Sequence, residues 1–105
     1  MTVNISYFAG AGWQFFDNDG VPLSGGLLYS YTAGTTTPAT TYTTSTGSIA
    51  NSNPVVLDSA GRVNEIWLTA GVNYKFVLKT SGGVTLGTYD NIAGVNDTTG
   101  FASLL

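Results

Sequence analysis

The chain has 105 residues, which is enough for one domain and too short for two, because domains usually hold about 100 to 150 residues. Six acidic and three basic residues give a net charge of −3, and so few cations exclude nucleic-acid binding through phosphate contacts. The lack of Cys and His removes disulfides, thiolate zinc sites and the commonest general base, whereas 43% apolar residues suffice to fill a core and exclude disorder.

The start of the chain has no basic stretch followed by an apolar one, and no apolar run approaches the ~18 residues that cross a bilayer. The sequence therefore predicts a soluble, unprocessed chain that does not contact a membrane. The lack of Cys is compatible with synthesis in a reducing cytosol.

Short stretches of alternating apolar and polar residues predict strands, because successive side chains of a strand point to opposite faces. The candidate strands, in chain order, are 3–8, 13–16, 26–33, 40–44, 54–57, 63–69, 73–80 and 84–90. No stretch before residue 90 has the 3.6-residue period of a helix. We expect an all-β chain: a small antiparallel β-sandwich-like domain of about seven or eight short strands, with little or no helix.

Two candidate strands have the clearest alternation. In 26–33 the side chains expected to face the core are those of Leu27, Tyr29 and Tyr31. In 73–80 they are those of Tyr74, Phe76 and Leu78. Lys75 and Lys79 then lie on the solvent face of the second strand, where charge guards against pairing with other strand edges.

Two stretches between the strands predict turns of the same kind. Asp-Asn-Asp-Gly at 17–20 and Asp-Ser-Ala-Gly-Arg at 58–62 combine a short polar side chain, which bonds nearby backbone groups, with a Gly that adopts positive φ. Residues 33–53 are instead almost a Thr and Ser tract. This composition is compatible with a loop and with an edge strand, and it does not decide between them.

Few residues could carry chemistry. Asp17 and Asp19 are close in sequence, as in a glycosidase pair or the opening of a calcium loop, but the later calcium ligands are missing from 22–27. Asp-Asn-Asp-Gly is a common turn, and without His a Ser nucleophile would depend on Lys75 or Lys79, whose place on a strand explains them. We therefore expect no enzyme, no catalytic residue, no metal and no cofactor.

The aromatic residues have two interpretations. Flat rings on one surface could form a platform for sugar rings. Most of them fall at strand positions expected to be buried, and the residues that we assign to the core are Tyr29, Tyr31, Trp67, Tyr74 and Phe76.

An ordered series of short motifs runs through about residues 15 to 92. Its parts are Phe-Asp-Asn-Asp-Gly-Val-Pro-Leu-Ser-Gly-Gly at 16–26, Leu-Tyr-Ser-Tyr-Thr-Ala-Gly-Thr-Thr-Thr-Pro at 28–38, Thr-Tyr-Thr at 41–43, Asn-Ser-Asn-Pro-Val-Val-Leu-Asp-Ser-Ala-Gly-Arg at 51–62, Ile-Trp-Leu at 66–68, Tyr-Lys-Phe-Val-Leu-Lys at 74–79 and Asp-Asn-Ile at 90–92. The series resembles the N-terminal virion-attachment, or head-binding, domain of tailed-phage tail fibres and tailspikes, notably those of podoviruses. It departs from the family at Leu27, where Lys is frequent, and at 81–83, where an Asp-Gly turn is usual.

The resemblance implies a small all-β domain that forms a homotrimer and anchors a fibre or tailspike to the tail or neck of the particle. Its partners would be tail adaptor or nozzle proteins and a distal fibre or spike protein, with no nucleic acid and no membrane. The protein would be made in the bacterial cytoplasm and located in the virion. No catalytic residues come with the resemblance, and the alternative function is a carbohydrate-binding module that contacts host surface glycans.

The chain then divides into an N-terminal docking segment at 1–14, a β attachment domain at 15–92, and a C-terminal exit segment or linker to a distal fibre region at 93–105. The apolar residues expected to contact partners are Val3, Ile5, Tyr7, Phe8, Trp13, Phe101, Leu104 and Leu105. The alternative for the segment 1–14 is an ordinary first strand.

Overall fold

The computed structural model describes residues 2–95, and this part of the chain contains seven antiparallel strands and no helix. The strands are β1 (Val3–Ile5), β2 (Leu27–Thr32), β3 (Thr41–Tyr42), β4 (Val55–Val56), β5 (Trp67–Thr69), β6 (Tyr74–Lys79) and β7 (Thr85–Ile92). The expected small all-β domain is confirmed. Over the described range, no helix has the length and apolar character needed to cross a membrane.

The strands form two sheets. One has three strands in the order β1-β5-β3, and the other has four in the order β4-β2-β6-β7. Strand β6 pairs with β2 on one side and β7 on the other, and its residues alternate strictly between buried and half-buried, as predicted. Strand β7 lies at the edge of the four-stranded sheet, and its pairing with β6 contains two register shifts.

Both sheets contribute to a single core. Its largest fully buried side chains are Tyr74, Phe76, Leu28, Ile66 and Leu68. The hydroxyl of Tyr74 on β6 donates to the backbone oxygen of Thr40 at 2.7 Å and accepts the backbone N–H of Thr69 at 3.0 Å. The hydroxyl of this buried ring therefore links the four-stranded sheet to Thr69 on β5 and to Thr40, just before β3, in the other sheet.

The predicted facing of β2 is wrong. Leu28 and Ser30 point into the core, at 1% and 3% exposure, while Leu27, Tyr29 and Tyr31 lie half-buried on the opposite face. The hydroxyl of Ser30 donates to the backbone oxygen of Ala39 at 2.7 Å, so its burial leaves no polar group unpaired. A small satisfied hydroxyl fits the interior beside Leu28, and the tyrosines take the outer face.

Trp67 also departs from its predicted place in the core. It lies half-buried on β5 between the fully buried Ile66 and Leu68, and its indole N–H donates to Oε1 of Glu65 at 2.8 Å. The aliphatic neighbours fill the interior, and the large ring keeps its polar edge at the surface.

The segment 13–16 is not a regular strand. It makes isolated bridges, Gln14 with Arg62 and Phe16 with Pro22. The tract 33–53 contains the short strand β3 and turns, and it has a further bridge between Tyr42 and Ala50.

The two predicted turns are confirmed and have the same hydrogen bonds. Oδ1 of Asp17 accepts the backbone N–H groups of Asp19 and Val21 at 2.8 and 3.0 Å. Oδ1 of Asp58 accepts those of Ala60 and Arg62, both at 2.9 Å. We refer to 17–21 and 58–62 as the paired turns, because Phe15, just before the first, donates its N–H to Gly61 of the second at 2.8 Å.

Candidate functional site

The segment after β1 runs back along residues 62–66 and so fixes the positions of Tyr7, Phe8 and Trp13. Ile66 donates its N–H to the backbone oxygen of Gly10 at 2.7 Å, and Val63 donates to that of Trp13 at 3.0 Å. These bonds hold the backbone of the segment against the domain.

Ser6 fixes the backbone just before Phe8. Its buried hydroxyl donates to the backbone oxygen of Phe8 at 2.6 Å and accepts the N–H of the same residue at 3.1 Å. A hydroxyl that satisfies the backbone two residues later is a local turn device. It directs the Phe8 ring towards the body of the domain, where the ring packs against the core.

Phe8 is the centre of an aromatic cluster. Its ring centroid lies 4.7 Å from that of Tyr89, 5.8 Å from that of Trp13 and 5.3 Å from that of the core residue Phe76. Tyr7, beside Phe8, donates a long 3.5 Å hydrogen bond to the backbone oxygen of Asn91. We call Tyr7, Phe8, Trp13 and Tyr89 the aromatic patch.

The aromatic patch is exposed although it is apolar. The exposed fractions are 52% for Tyr7, 44% for Trp13 and 40% for Tyr89, and Phe8 beneath them is half-buried. None of the four side chains is charged, so the surface offers ring faces and two hydroxyl groups. Neighbouring exposed rings on a rigid base are suited to contact with another macromolecule.

Tyr89 was not predicted as a site residue, and it belongs to β7, about eighty residues from Tyr7. It stands opposite Phe76 in the β6 and β7 register, so it shares the side of the sheet that Phe76 faces. Its hydroxyl lies close to Gly87, where a β-carbon would collide with it. The sequence signal for this contact is Gly-Thr-Tyr at 87–89 on a predicted strand. Residues two apart on a strand share a face, so the Tyr ring lies on the same face as a residue without a side chain.

The other predicted partner residues lie elsewhere. Val3 is 8% exposed, and Ile5 stands opposite Trp67 in the three-stranded sheet, so neither takes part in the ring contacts of the aromatic patch. The structure thus brings the rings of Phe8 and Trp13 together, with Tyr7 beside Phe8 in the chain, whereas Val3 and Ile5 pair within the three-stranded sheet. Phe101, Leu104 and Leu105 lie outside the described residues.

Of the two carboxylates considered for chemistry, that of Asp17 has a structural role. Asp17 accepts two turn amides, and its neighbour Asp19 bonds to it through the backbone N–H. Between residues 2 and 95 there is no group of three or more acidic side chains placed to hold a metal ion. The surface with the clearest potential to bind is therefore the aromatic patch.

The chain was compared with protein-family models and with curated proteins, and neither comparison found a match.

Proposed function

We propose that the chain is a non-catalytic structural protein of a phage virion, the domain that attaches a tail fibre or tailspike to the particle as a homotrimer. It would be made in the bacterial cytoplasm, and its partners would be adaptor or nozzle proteins of the tail. The observation that carries the proposal is the ordered series of motifs between residues 16 and 92.

The roles of the motif residues support the proposal. In the motif at 51–62, the Asn53 side chain bonds both backbone groups of Ser30, accepting the N–H at 3.0 Å and donating to the oxygen at 2.7 Å. Leu57 donates its N–H to the backbone oxygen of Gly26, which ends the motif at 16–26, at 2.8 Å. The motifs at 16–26 and 51–62 thus form one structural unit. This is expected of residues that specify a fold rather than a reaction.

The aromatic patch is the docking surface in this proposal. A neutral surface of rings and hydroxyl groups loses little hydration energy on contact and gains packing area, which suits a permanent assembly more than a transient, electrostatically steered one. Large aromatic side chains also dominate the binding energy of many interfaces. Residues 2–14 contribute three of the four rings, and they present them from a hydrogen-bonded support.

Co-sedimentation with fibreless tails of the phage that encodes the chain tests the proposal. We expect the intact protein to bind, and Tyr7→Ser with Trp13→Ser to weaken binding by about thirtyfold, the effect of losing one interface hot spot. Ile49→Ser and Val84→Ser are matched controls, since these side chains are 62% and 64% exposed and lie outside the patch. Circular dichroism melts establish that every variant is folded.

The alternative function, a carbohydrate-binding module for host glycans, uses the same rings. Trp13 is inclined 65° and Tyr89 32° to the ring of Phe8, so the two outer rings cannot be coplanar, as a flat sugar platform requires. Failure of the intact protein to bind tails, together with quenching of its tryptophan fluorescence by host glycans, would replace the attachment proposal with this one.

A further inference from the structure

The outer face of the four-stranded sheet is a second surface of defined chemistry. Residues that pair across strands lie on one face, and the register places Leu27 opposite Lys79, Tyr29 opposite Val77, and Tyr31 opposite Lys75. All six side chains are half-buried, and β4 adds Val56 beside Leu27, at 61% exposure. We call Leu27, Tyr29, Tyr31, Lys75, Val77 and Lys79 the lysine face.

The lysine side chains are held by the tyrosine rings. Nζ of Lys75 lies 5.3 Å from the ring centroid of Tyr31, and Nζ of Lys79 lies 5.0 Å from that of Tyr29. The two rings are nearly parallel, at 3°, with centroids 6.2 Å apart. Each ammonium group is therefore positioned over a ring. The Cα atoms of the two lysines are about 13 Å apart, because they are four residues apart on a strand that rises about 3.3 Å per residue.

This face concentrates most of the positive charge. It carries two of the three basic residues of the chain, and within residues 2–95 no carboxylate forms an ion pair with either lysine. Its middle row, Tyr29 opposite Val77, lies between the row that contains Lys79 and the row that contains Lys75. An apolar centre with a charged margin is the usual arrangement of a protein interface.

The paired turns have the opposite charge. They contain Asp17, Asp19 and Asp58 against Arg62, which gives the two turns a charge of −2. One oxygen of each of the Asp17 and Asp58 carboxylates accepts turn amides. Asp19 and Asp58 are exposed. The same chain thus carries a cationic sheet face and an anionic pair of turns.

We infer that the lysine face of one copy binds the paired turns of a second copy. The inference rests on the homotrimer of the proposed function and specifies its interface. The two surfaces differ, so the contact is heterologous, and repeated contacts of this kind close into a ring when the rotation between copies allows it. Charge complementarity fixes the register, and the apolar middle of the face supplies buried area.

Charge reversal combined with light scattering across a dilution series tests the inference. Lys75→Glu with Lys79→Glu sets like charges against each other across the interface, and we expect the dissociation constant to rise at least about tenfold. Thr46→Glu with Ile49→Glu adds acidic residues in the exposed turn at 43–50, away from both surfaces, and should leave the mass unchanged.

Restoration of the charge pairing provides the second arm. Adding Asp19→Lys and Ser59→Lys to the reversed lysine face should recover the threefold mass, because both positions are exposed and neither change touches the Asp17 or Asp58 carboxylate. Recovery is not expected if the lysine changes act only by disturbing the sheet.

The outcomes separate this inference from the proposed function. A threefold mass that survives reversal of both lysines overturns the inference and leaves tail attachment intact. Loss of binding to an acidic polysaccharide, with an unchanged mass, also overturns it and assigns the lysine face to a glycan. An intact protein that remains a monomer at every concentration overturns both the inference and the proposed trimer. Tail attachment is then tested separately by co-sedimentation.

Discussion

Gly20 and Gly61 occupy equivalent positions in the paired turns but have different surroundings. Both have positive φ, 81° at Gly20 and 74° at Gly61, and each donates its N–H to the backbone oxygen of the Asp that opens its turn. A β-carbon at Gly20 would meet nothing within 4 Å, whereas one at Gly61 would lie 2.6 Å from the backbone nitrogen of Leu23 and the backbone oxygen of Phe15.

The pair of substitutions Gly20→Ala and Gly61→Ala separates backbone strain from crowding. Gly20→Ala should lower the free energy of unfolding by about 1 kcal/mol, the cost of a left-handed conformation for a residue with a β-carbon. Gly61→Ala should lower it by about 3 kcal/mol or more, because overpacking against immobile backbone adds to that strain. Urea unfolding at one fixed protein concentration measures both values, and equal losses would contradict a tight crossing at Gly61.

The sequence identified the turn residues because turn chemistry is local. An Asp side chain that accepts N–H groups two and four residues later needs no distant partner. The close approach of Gly61 to Leu23 and Phe15 joins parts of the chain about forty residues apart, and no local pattern encodes it.

At the scale of the strands, the alternation of β2 defined two faces without saying which one is buried. Tyr29 and Tyr31 are larger and more apolar than Ser30, so hydrophobicity alone favours the wrong face. The choice follows from Asn53 and Ala39, which satisfy the polar groups of Ser30 in the interior. On β6 both criteria agree, and the prediction for Tyr74, Phe76 and Leu78 is confirmed.

Tyr74→Phe tests the link between the sheets. The change keeps the buried ring and removes two hydrogen bonds, to Thr40 and from Thr69, so the free energy of unfolding should fall by about 1–3 kcal/mol. Tyr29→Phe is the matched control, because this half-buried tyrosine lies on the outer face of the same sheet and should cost less than about 0.5 kcal/mol. Thermal or urea unfolding gives both values, and an equal effect would show that the Tyr74 hydroxyl does not link the sheets.

At the scale of the whole molecule, the N-terminal segment contributes to the body of the domain. Ala9 is fully buried in the core cluster, Phe8 packs against that cluster, and β1 pairs along its length with β5. Residues 63–66 also exchange backbone hydrogen bonds with residues 6–13 of the segment.

Removal of residues 1–14 should therefore abolish cooperative unfolding. The truncated chain would lose the partner strand of β5 and expose core side chains such as Ile66, and we expect no sigmoidal transition in a circular dichroism melt. The substitutions Tyr7→Ser and Trp13→Ser, which leave the backbone of the segment in place, should keep the transition. A truncated protein that melts cooperatively would show that the segment is an independent docking arm.

The sequence by itself determined the fold class, the positions of the turns and the facing of β6, because each depends on residues that are neighbours in the chain or alternate along one strand. Only the tertiary structure decided which face of β2 is buried and that Tyr89 joins Tyr7, Phe8 and Trp13 in one patch. It likewise decided that two lysines rest on two tyrosines across a strand boundary. These arrangements depend on strand register and on contacts between distant segments, and periodicity along the chain specifies neither.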